Sequence, residues 1–192
     1  LQQQHYLPED RLQTLLSDLV GATIATATLT GFSEDVYAQL ADFEQETLSQ
    51  VKVAKVKHLD ETGFRIGSKT QWLHVASTDR LTYYHTSPKR KALLKGLTHT
   101  VVHDHWKAYY QLKDVSHSLC NQHHLRELKA VIEYDKEAWA NKMQRFLRFA
   151  HRYRQGYSLQ PIPQDKLRRL LAYYDEMIEI GLRYHAELPP FA

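Results

Sequence analysis

Apolar residues between positions 9 and 20 recur at the spacing of one face of an α-helix. Pro8 and the acidic residues that follow it are typical of a helix start, and Gly21 is typical of a helix end. The apolar stripe follows the i, i+3, i+4, i+7, i+8 pattern and consists of Leu12, Leu15, Leu16, Leu19 and Val20. This pattern predicts a helix over residues 9–20.

A second helix is predicted to begin near Ser33 and to run to about Gln50, with two acidic residues in its first turn. The stretch before it, residues 22–29, is rich in small and β-branched residues and is not predicted to be helical. Helix, glycine turn and short segment weakly resemble a helix-turn-helix, but this part of the chain is acidic, which argues against DNA binding by it alone. We interpret residues 1–50 as a helical segment used in packing or assembly.

From Val51 onward the pattern changes to an alternation of apolar and polar residues, as expected for β-strands. Three short strands joined by tight turns are predicted, which together form an antiparallel meander. Their ranges are 51–56, which leads into Asp60, then 72–76 and 81–85.

Helices and strands alternate after the meander. The predicted order is a helix over 88–97, a strand over 100–104, a helix over 106–112 and a strand over 115–120. The remaining chain is predicted to be helical over 123–134, 136–154 and 164–187, with a Gly/Pro linker at 156–163.

This order of elements resembles that of a ribonuclease H-like core. Such a core is an α/β fold whose mixed sheet has three antiparallel strands followed by two parallel ones, and its first strand lies centrally, beside the fourth. We therefore predict three parts, namely N-terminal helices at 1–50, an α/β core at 51–134 and a helical region at 135–192.

Composition limits the class of protein. The chain has 192 residues, of which 43% are hydrophobic, enough for one globular core with a helical appendage. It has no run of about 18 apolar residues and no secretion signal, so we expect neither a membrane span nor a membrane partner. A single cysteine, Cys120, excludes an intrachain disulfide and fits the reducing cytoplasm. The chain opens on Leu1 without a methionine, so we expect further residues to precede it.

The net charge of +3 conceals an uneven distribution along the chain. Residues 1–50 carry one basic and eight acidic side chains, whereas residues 51–160 carry twenty basic and nine acidic ones. A basic surface around an acidic pocket suits an enzyme that acts on a polyanion, because cations hold phosphates and carboxylates hold metal. The alternative is an ordinary solvated surface with uneven charge.

Two aspartates end apolar strands of the predicted sheet. Asp60 follows the first strand and Asp104 ends the fourth, and adjacent strands lie about 4.8 Å apart. A carboxylate at such a position is costly unless a cation or hydrogen bonds stabilise it. The pair therefore suggests a site for Mg²⁺ or Mn²⁺, which bind carboxylate and water oxygens. The alternative is that Asp104 caps the following helix and Asp60 caps a turn.

The segment from His117 to His124 contains a His-x2-Cys-x2-His arrangement that could bind zinc. The signal is weak, because no second half with matching spacing exists in the sequence. The favoured interpretation is that Cys120 and His123 organise a turn beside the active site.

Several cations are candidates for DNA binding. Three of them, Arg145, Arg148 and Arg152, are spaced at i, i+3 and i+7 and would form one basic stripe near two tyrosines. The others are Lys89, Arg90, Lys91 and Arg126. A solvated helix face is the equally open alternative for the stripe.

Three motifs in this order resemble the catalytic region of the insertion-sequence 66 type transposases. They are Asp60-Glu61-Thr62-Gly63 followed by Trp72, His103-Asp104-His105-Trp106-Lys107-Ala108-Tyr109, and Cys120-Asn121-Gln122-His123-His124-Leu125-Arg126-Glu127-Leu128. The resemblance covers residues from about Tyr6 to about His151, and the helices from about Lys136 onward resemble the family's helical insertion.

The resemblance implies a bacterial DDE enzyme with a ribonuclease H-like core that cleaves element ends and joins them to target DNA with a divalent metal. Asp60 and Asp104 match the first two catalytic aspartates, and Cys120 and His123 match a Cys-x2-His signature. It further implies DNA partners, self-association in a transposition complex and a cytoplasmic protein that is nucleoid-associated when bound to DNA.

The third catalytic acid of the family, a glutamate in an Asn-Asn-containing motif, has no match in this chain. Glu127 is the only glutamate considered as a substitute. We therefore expect a truncated catalytic domain that is weakly active or inactive in isolation. The rival interpretations are a non-catalytic DNA-binding or assembly module and a nuclease that hydrolyses without joining.

Overall fold

The structure is a computed structural model that describes residues 2–92, 94–157 and 160–187. It divides into two compact units, residues 1–117 and residues 118–192. The first unit contains the N-terminal helices and nearly all of a β-sheet, and the second is helical apart from the end of the last strand. The three-part division expected from sequence stays a prediction. No helix in the described part of the chain is long and apolar enough to cross a membrane.

The N-terminal helices are α1 Gln2–His5, α2 Glu9–Val20, α3 Thr26–Gln39 and α4 Ala41–Val53. The prediction of α2 is confirmed, and Gly21 closes it with a left-handed φ of 65°. The prediction of one helix from Ser33 to Gln50 is wrong, because two helices meet at Leu40. The β-branched start of α3 is helical despite its weak propensity, since burial of Leu29 stabilises it.

The first predicted strand begins too early. Val51 lies in the last turn of α4 and is fully buried against the sheet, in a cluster that includes Leu59, Val101 and Tyr109. A short valine-rich run fits either a strand or a buried helix end, and packing decides between them.

The sheet has five strands, β1 Val56–Ile66, β2 Lys69–Ser77, β3 Thr82–Ser87, β4 His99–His103 and β5 Val115–Leu119. Their spatial order is β3-β2-β1-β4-β5. Strands β1, β2 and β3 pair antiparallel, and β4 pairs parallel to β1. The α/β fold class is therefore confirmed, and the mixed sheet with its central first strand is consistent with a ribonuclease H-like core.

Neither of the two α-helices predicted between the strands forms in the described residues. Residues 88–92 and 94–97 form no helix, and Leu93 lies outside the described residues. Basic residues in a first turn oppose the helix dipole, and one of them, Arg90, is held by partners within the protein instead. The predicted helix over 106–112 is reduced to a 3₁₀ turn at Tyr109–Gln111, because Tyr109 is turned into the core.

Strand β1 has two chemically different faces. Lys57 and Leu59 are buried, whereas His58 and Asp60 are exposed. Lys57 is fully buried on the core face, where its Nζ donates a hydrogen bond to the carbonyl oxygen of Thr98 and burial lowers its pKa. The alternation fixes which side chains of β1 face the core.

The helical unit contains α5 Asn121–Tyr134, α6 Ala138–Gln155 and α7 Gln164–Glu187. These helices match three predicted ones, with α7 at the predicted bounds. Their core contains Leu128, Ala140, Met143 and Met177. At Gly181 a Cβ atom would lie 3.1 Å from the Trp139 ring, so the glycine allows α7 to approach that indole closely.

We expect the stability of the first unit to fall as pH drops below about 6.5, because of His74. His74 is 5% exposed, and its Nε2 finds no hydrogen-bond partner within the described residues. Burial lowers its pKa from 6.5, so the neutral form is favoured in the fold and the unfolded chain binds the proton more tightly. Stability is therefore present above pH 6.5 and is lost as pH falls through the folded pKa.

Urea denaturation at about pH 7.5 and about pH 5.5 measures this loss. The variant His74→Gln should flatten the pH dependence, whereas His58→Gln, at an exposed position of β1, should retain it. An NMR titration that gave His74 a pKa at or above 6.5 would show this expectation to be wrong.

Candidate active site

The two candidate metal-binding aspartates lie on or directly after neighbouring central strands, and the prediction that Asp60 follows the end of its strand is wrong. Asp60 is exposed within β1, and Asp104 follows the last residue of β4. In the paired part of β1 and β4, Val56 is opposite Thr100 and His58 is opposite Val102, an offset of 44 residues. Asp60 and Asp104 differ by the same 44 positions, two residues beyond the last pair.

Residues opposite each other in a parallel ladder point to the same face of a sheet. Continued two residues past its last pair, this register leads from Asp60 to Asp104, and we expect both on the face of β1 and β4 that turns away from Lys57 and Val101. Because these two residues are fully buried in the core, the aspartates belong to the more exposed side of the sheet.

Each aspartate also has a local hydrogen bond. Asp104 Oδ1 accepts from the backbone N–H of Trp106 at 2.9 Å, and Asp60 Oδ1 accepts from the N–H of Glu61 at 3.0 Å. The alternative that Asp104 caps a helix at Trp106 is wrong, because no helix begins there. The hydrogen bond from Trp106 to Asp104 lies in the turn after β4 instead. It uses one oxygen of the carboxylate and also fixes its orientation.

Glu61 faces the core side of the sheet, opposite to Asp60. Its carboxylate side chain is only 1% exposed and bonds to Arg90. Oε1 accepts from Arg90 Nε at 2.9 Å and from Nη2 at 2.7 Å, while Oε2 accepts from the Tyr109 hydroxyl. Both oxygens of a buried carboxylate are thus paired, which offsets the cost of removing it from water.

Arg90 is held between two indole rings. Its guanidinium carbon lies 4.2 Å from the ring centroid of Trp106 and 5.0 Å from that of Trp72. Trp72 pairs with Gly63 across β1 and β2, and a Cβ atom at Gly63 would lie 3.4 Å from that indole. The glycine therefore leaves room for the ring close to β1, and the two rings and Glu61 fix Arg90.

Tyr109 interacts with the buried Glu61 and with the charges of both aspartates. Burial raises the pKa of its phenol far above the usual range, and the hydrogen bond to Glu61 raises it further. The negative charges of Glu61, Asp104 and Asp60 act in the same direction. All three carboxylates therefore lie close enough to Tyr109 to act on its charge, and the phenol stays protonated and donates to Glu61.

A histidine pair supports the end of β4. His103 is fully buried, its Nδ1 contacts the carbonyl oxygen of Asp104, and its Nε2 lies 2.9 Å from His117 Nδ1. A carbonyl only accepts, so His103 carries its proton on Nδ1 and its Nε2 accepts from His117. Burial lowers the pKa of His103, consistent with this neutral form.

Sequence reasoning assigned no role to Glu61, Trp72 or Tyr109. A signal for Glu61 was present, since it falls in phase with Lys57 and Leu59 on the core face of β1. An acidic residue in a core position requires a buried cation or hydrogen-bond donors. The identity of that cation, 29 residues away in a loop, could not be read from spacing.

The other predicted residues lie at separate places in the chain. Lys89 and Lys91 are exposed in the loop after β3, and Arg126 is exposed on α5. The basic stripe of Arg145, Arg148 and Arg152 is exposed on α6. Arg90 already has its partners within the protein, and its role in DNA binding stays a prediction.

Cys120 directly precedes α5, and its carbonyl oxygen accepts from the N–H of His123 at 3.0 Å. Among the described residues, no group of three or more His, Cys, Asp or Glu side chains is arranged to hold a metal ion. The zinc alternative for this segment thus has no support, and the turn-organising role of Cys120 and His123 stays a prediction.

The chain is an α/β protein whose mixed five-stranded sheet is consistent with a ribonuclease H-like core. The family model described as "Transposase IS66 family" matches residues 1–181, and the chain belongs to this family. No curated protein and no solved structure matched the chain. Family membership supports a role in transposition and an enzyme of the nuclease or transferase type.

Removing the Glu61 carboxylate should destabilise the first unit strongly. Glu61→Ala leaves Arg90 and Tyr109 without their common partner, and we expect a loss of about 2–4 kcal/mol in the free energy of unfolding. Urea denaturation followed by circular dichroism measures it.

The matched control is Asp79→Ala, which removes an Arg–carboxylate contact whose two side chains are each 88% exposed. It should change stability by less than about 0.5 kcal/mol. Equal losses for the two variants would contradict the structural role of Glu61.

Proposed function

We propose that this chain is the catalytic domain of a DDE transposase, in which Asp60 and Asp104 hold Mg²⁺ or Mn²⁺ for DNA cleavage and strand transfer. The observation that supports the proposal is the 44-residue offset of the β1–β4 pairing, which Asp60 and Asp104 share. Membership of a transposase family supplies the class of substrate, DNA at the element ends and at the target.

The residues fit a magnesium or manganese ion. Mg²⁺ in phosphoryl-transfer sites is bound by one or two carboxylates, several waters and the substrate phosphate, so two aspartates on an exposed sheet face meet its needs. When bound, the metal supplies Lewis-acid activation of the attacking oxygen and charge stabilisation at the leaving oxygen.

Contacts within the chain orient the two aspartates. Asp104 is oriented by the N–H of Trp106, and the backbone of β1 beside Asp60 is held by the buried Glu61 next to it. In the proposed reaction water attacks a phosphodiester, and its P–O3′ bond breaks to leave a 3′ hydroxyl and a 5′ phosphate. That 3′ hydroxyl then attacks a phosphodiester of the target DNA, bonding to its phosphorus while the 3′ oxygen of the target strand leaves and takes up a proton. The same two carboxylates would serve both steps.

The proposed site includes a third acid, for which Glu127 is the only candidate considered in this chain. Glu127 lies on α5 with a 65% exposed side chain, 3.6 Å from His124 Nδ1. Two carboxylates without a third give weaker metal binding, so we propose that the isolated chain is weakly active or inactive.

DNA binding and self-association complete the proposal. Lys89, Lys91 and Arg126 are exposed cations available for phosphates. The N-terminal helices carry exposed apolar side chains, which favour pairing with a second copy in a transposition complex. These are Phe32, Val36, Tyr37, Leu40 and Phe43.

Metal binding tests the two aspartates directly. Titration with Mn²⁺, followed by electron paramagnetic resonance, should show binding that weakens at least about tenfold in Asp60→Asn and in Asp104→Asn. The control Asp79→Asn, at an exposed carboxylate between β2 and β3, should bind Mn²⁺ as the unchanged protein does. Retained binding in both site variants would refute the proposed site.

Nicking of supercoiled DNA in Mg²⁺ tests the activity. We expect at most weak nicking, and Asp60→Ala should abolish whatever is present. Vigorous metal-dependent nicking by the 192-residue chain would contradict the expected weakness while supporting the site.

The second candidate function is a non-catalytic DNA-binding or assembly module. It is favoured by the finding that no three metal-ligating side chains converge among the residues described. Salt-sensitive DNA binding without any Mn²⁺ binding would support this module over the enzyme.

A further inference from the structure

The helical unit contains a cleft between α6 and α7 with a volume of about 960 Å³. Six cations line it, three from the basic stripe of α6 and three others, and four aromatic rings lie among them. The cations are Lys142, Arg145, Arg148, Arg152, Lys166 and Arg169, and the rings are those of Phe146, Phe149, Tyr153 and Tyr173.

The charge of this cleft is of one sign. Among the residues described as lining it, none is Asp or Glu, although α7 carries five acidic side chains at other positions. Like charges on neighbouring helical turns repel each other, so such a set is unfavourable for stability unless an anion compensates it. An exposed concave surface with this charge is complementary to a polyanion.

The aromatic rings make the cleft different from a purely basic surface. Phe149 is 47% exposed and Tyr173 is 42% exposed, which is unusual for rings that could be buried in a helix bundle. Phe149 and Tyr153 on α6 and Tyr157 just after its end form a row, with successive ring centroids 5.5 and 5.3 Å apart. Exposed rings between cations are the arrangement on which unpaired bases stack.

Hydrogen bonds fix one end of the cleft. The hydroxyls of Tyr153 and Tyr157 lie 3.1 Å apart, and Lys166 Nζ donates to Tyr157 at 3.4 Å. These contacts join the end of α6 to the start of α7. The hydrogen bond with Tyr153, and after it the one from Lys166, lower the pKa of Tyr157. The contact with Tyr157 raises the pKa of Lys166, so the ammonium stays charged.

We propose that this cleft binds an unpaired DNA strand, with its phosphates on the arginines and its bases stacked on Phe149 and Tyr173. The inference rests on the proposed function for its substrate, DNA, and adds the site and the strand state. A duplex keeps its bases stacked on each other and offers only phosphates, so the aromatic rings favour the single strand.

The test uses the full chain and fluorescein-labelled oligonucleotides of about 20 nucleotides, namely oligothymidine, an abasic strand of equal length and a duplex. The variants are the double change Arg145→Ala/Arg169→Ala and the single change Phe149→Ala. The control is Arg168→Ala, an exposed arginine next to Arg169 on α7 that does not line the cleft. Circular dichroism checks that each variant is folded.

The double variant should bind oligothymidine at least about tenfold more weakly. The slope of log K against the logarithm of the salt concentration should become shallower by roughly 1.4, which is about 0.7 for each lost arginine. Phe149→Ala should weaken oligothymidine binding about tenfold and leave binding of the abasic strand unchanged. Arg168→Ala should behave as the unchanged protein does.

A double variant that binds oligothymidine as tightly as Arg168→Ala would overturn the proposed site. Equal losses on oligothymidine and the abasic strand in Phe149→Ala would overturn base stacking. The proposed metal chemistry fails separately, because Asp60→Asn should lose Mn²⁺ binding while it keeps oligothymidine binding. Loss of oligothymidine binding in a folded Asp60→Asn protein would overturn the assignment of binding to the cleft.

Discussion

The architecture of the first unit depends on the ion pair and the hydrogen bonds that the buried carboxylate of Glu61 makes. Its two oxygens take hydrogen bonds from Arg90, in the loop after β3, and from Tyr109, in the turn after β4. The rings of Trp72 and Trp106 enclose the guanidinium. One charged group thus joins the central strand, its neighbour and two loops, and the end of β4 that carries Asp104 belongs to the same connected structure.

The alternation of β1 separates the structural acid from the proposed catalytic acid. Because successive side chains of a strand face opposite sides, a buried Glu61 requires that Asp60 face outward. A shift of one residue in the register would bury Asp60 and expose Glu61. The ion pair with Arg90 opposes such a shift, since an unpaired buried carboxylate is expensive. The position of Asp60 therefore follows from the pairing of its neighbour.

How much of this was predictable differs between elements. Helices α2 and α7 followed from periodicity, and the central position of the first strand followed from the order of the elements. Asp60 and Asp104 were found as acids after apolar runs, although Asp60 lies within β1 and not at its end. The prediction of a helix over 88–97 was wrong. Basic side chains are unfavourable in a first helical turn, and Arg90 forms an ion pair with Glu61 instead. The role of Glu61 depends on Arg90, which lies 29 residues away in the chain. The α6–α7 cleft is lined by residues from two helices. Long-range pairing of this kind leaves no periodic signal in one sequence.

The sequence divides its charges between the two units in a way that suits separate tasks. The first unit contains Asp60 and Asp104, whose geometry depends on a rigid sheet. The second contains a cationic cleft on two helices that share their own apolar core. Because the acids and the cleft belong to different compact units, neither needs the packing of the other to form. The proposed metal binding and the proposed strand binding are consequently expected to respond to different substitutions.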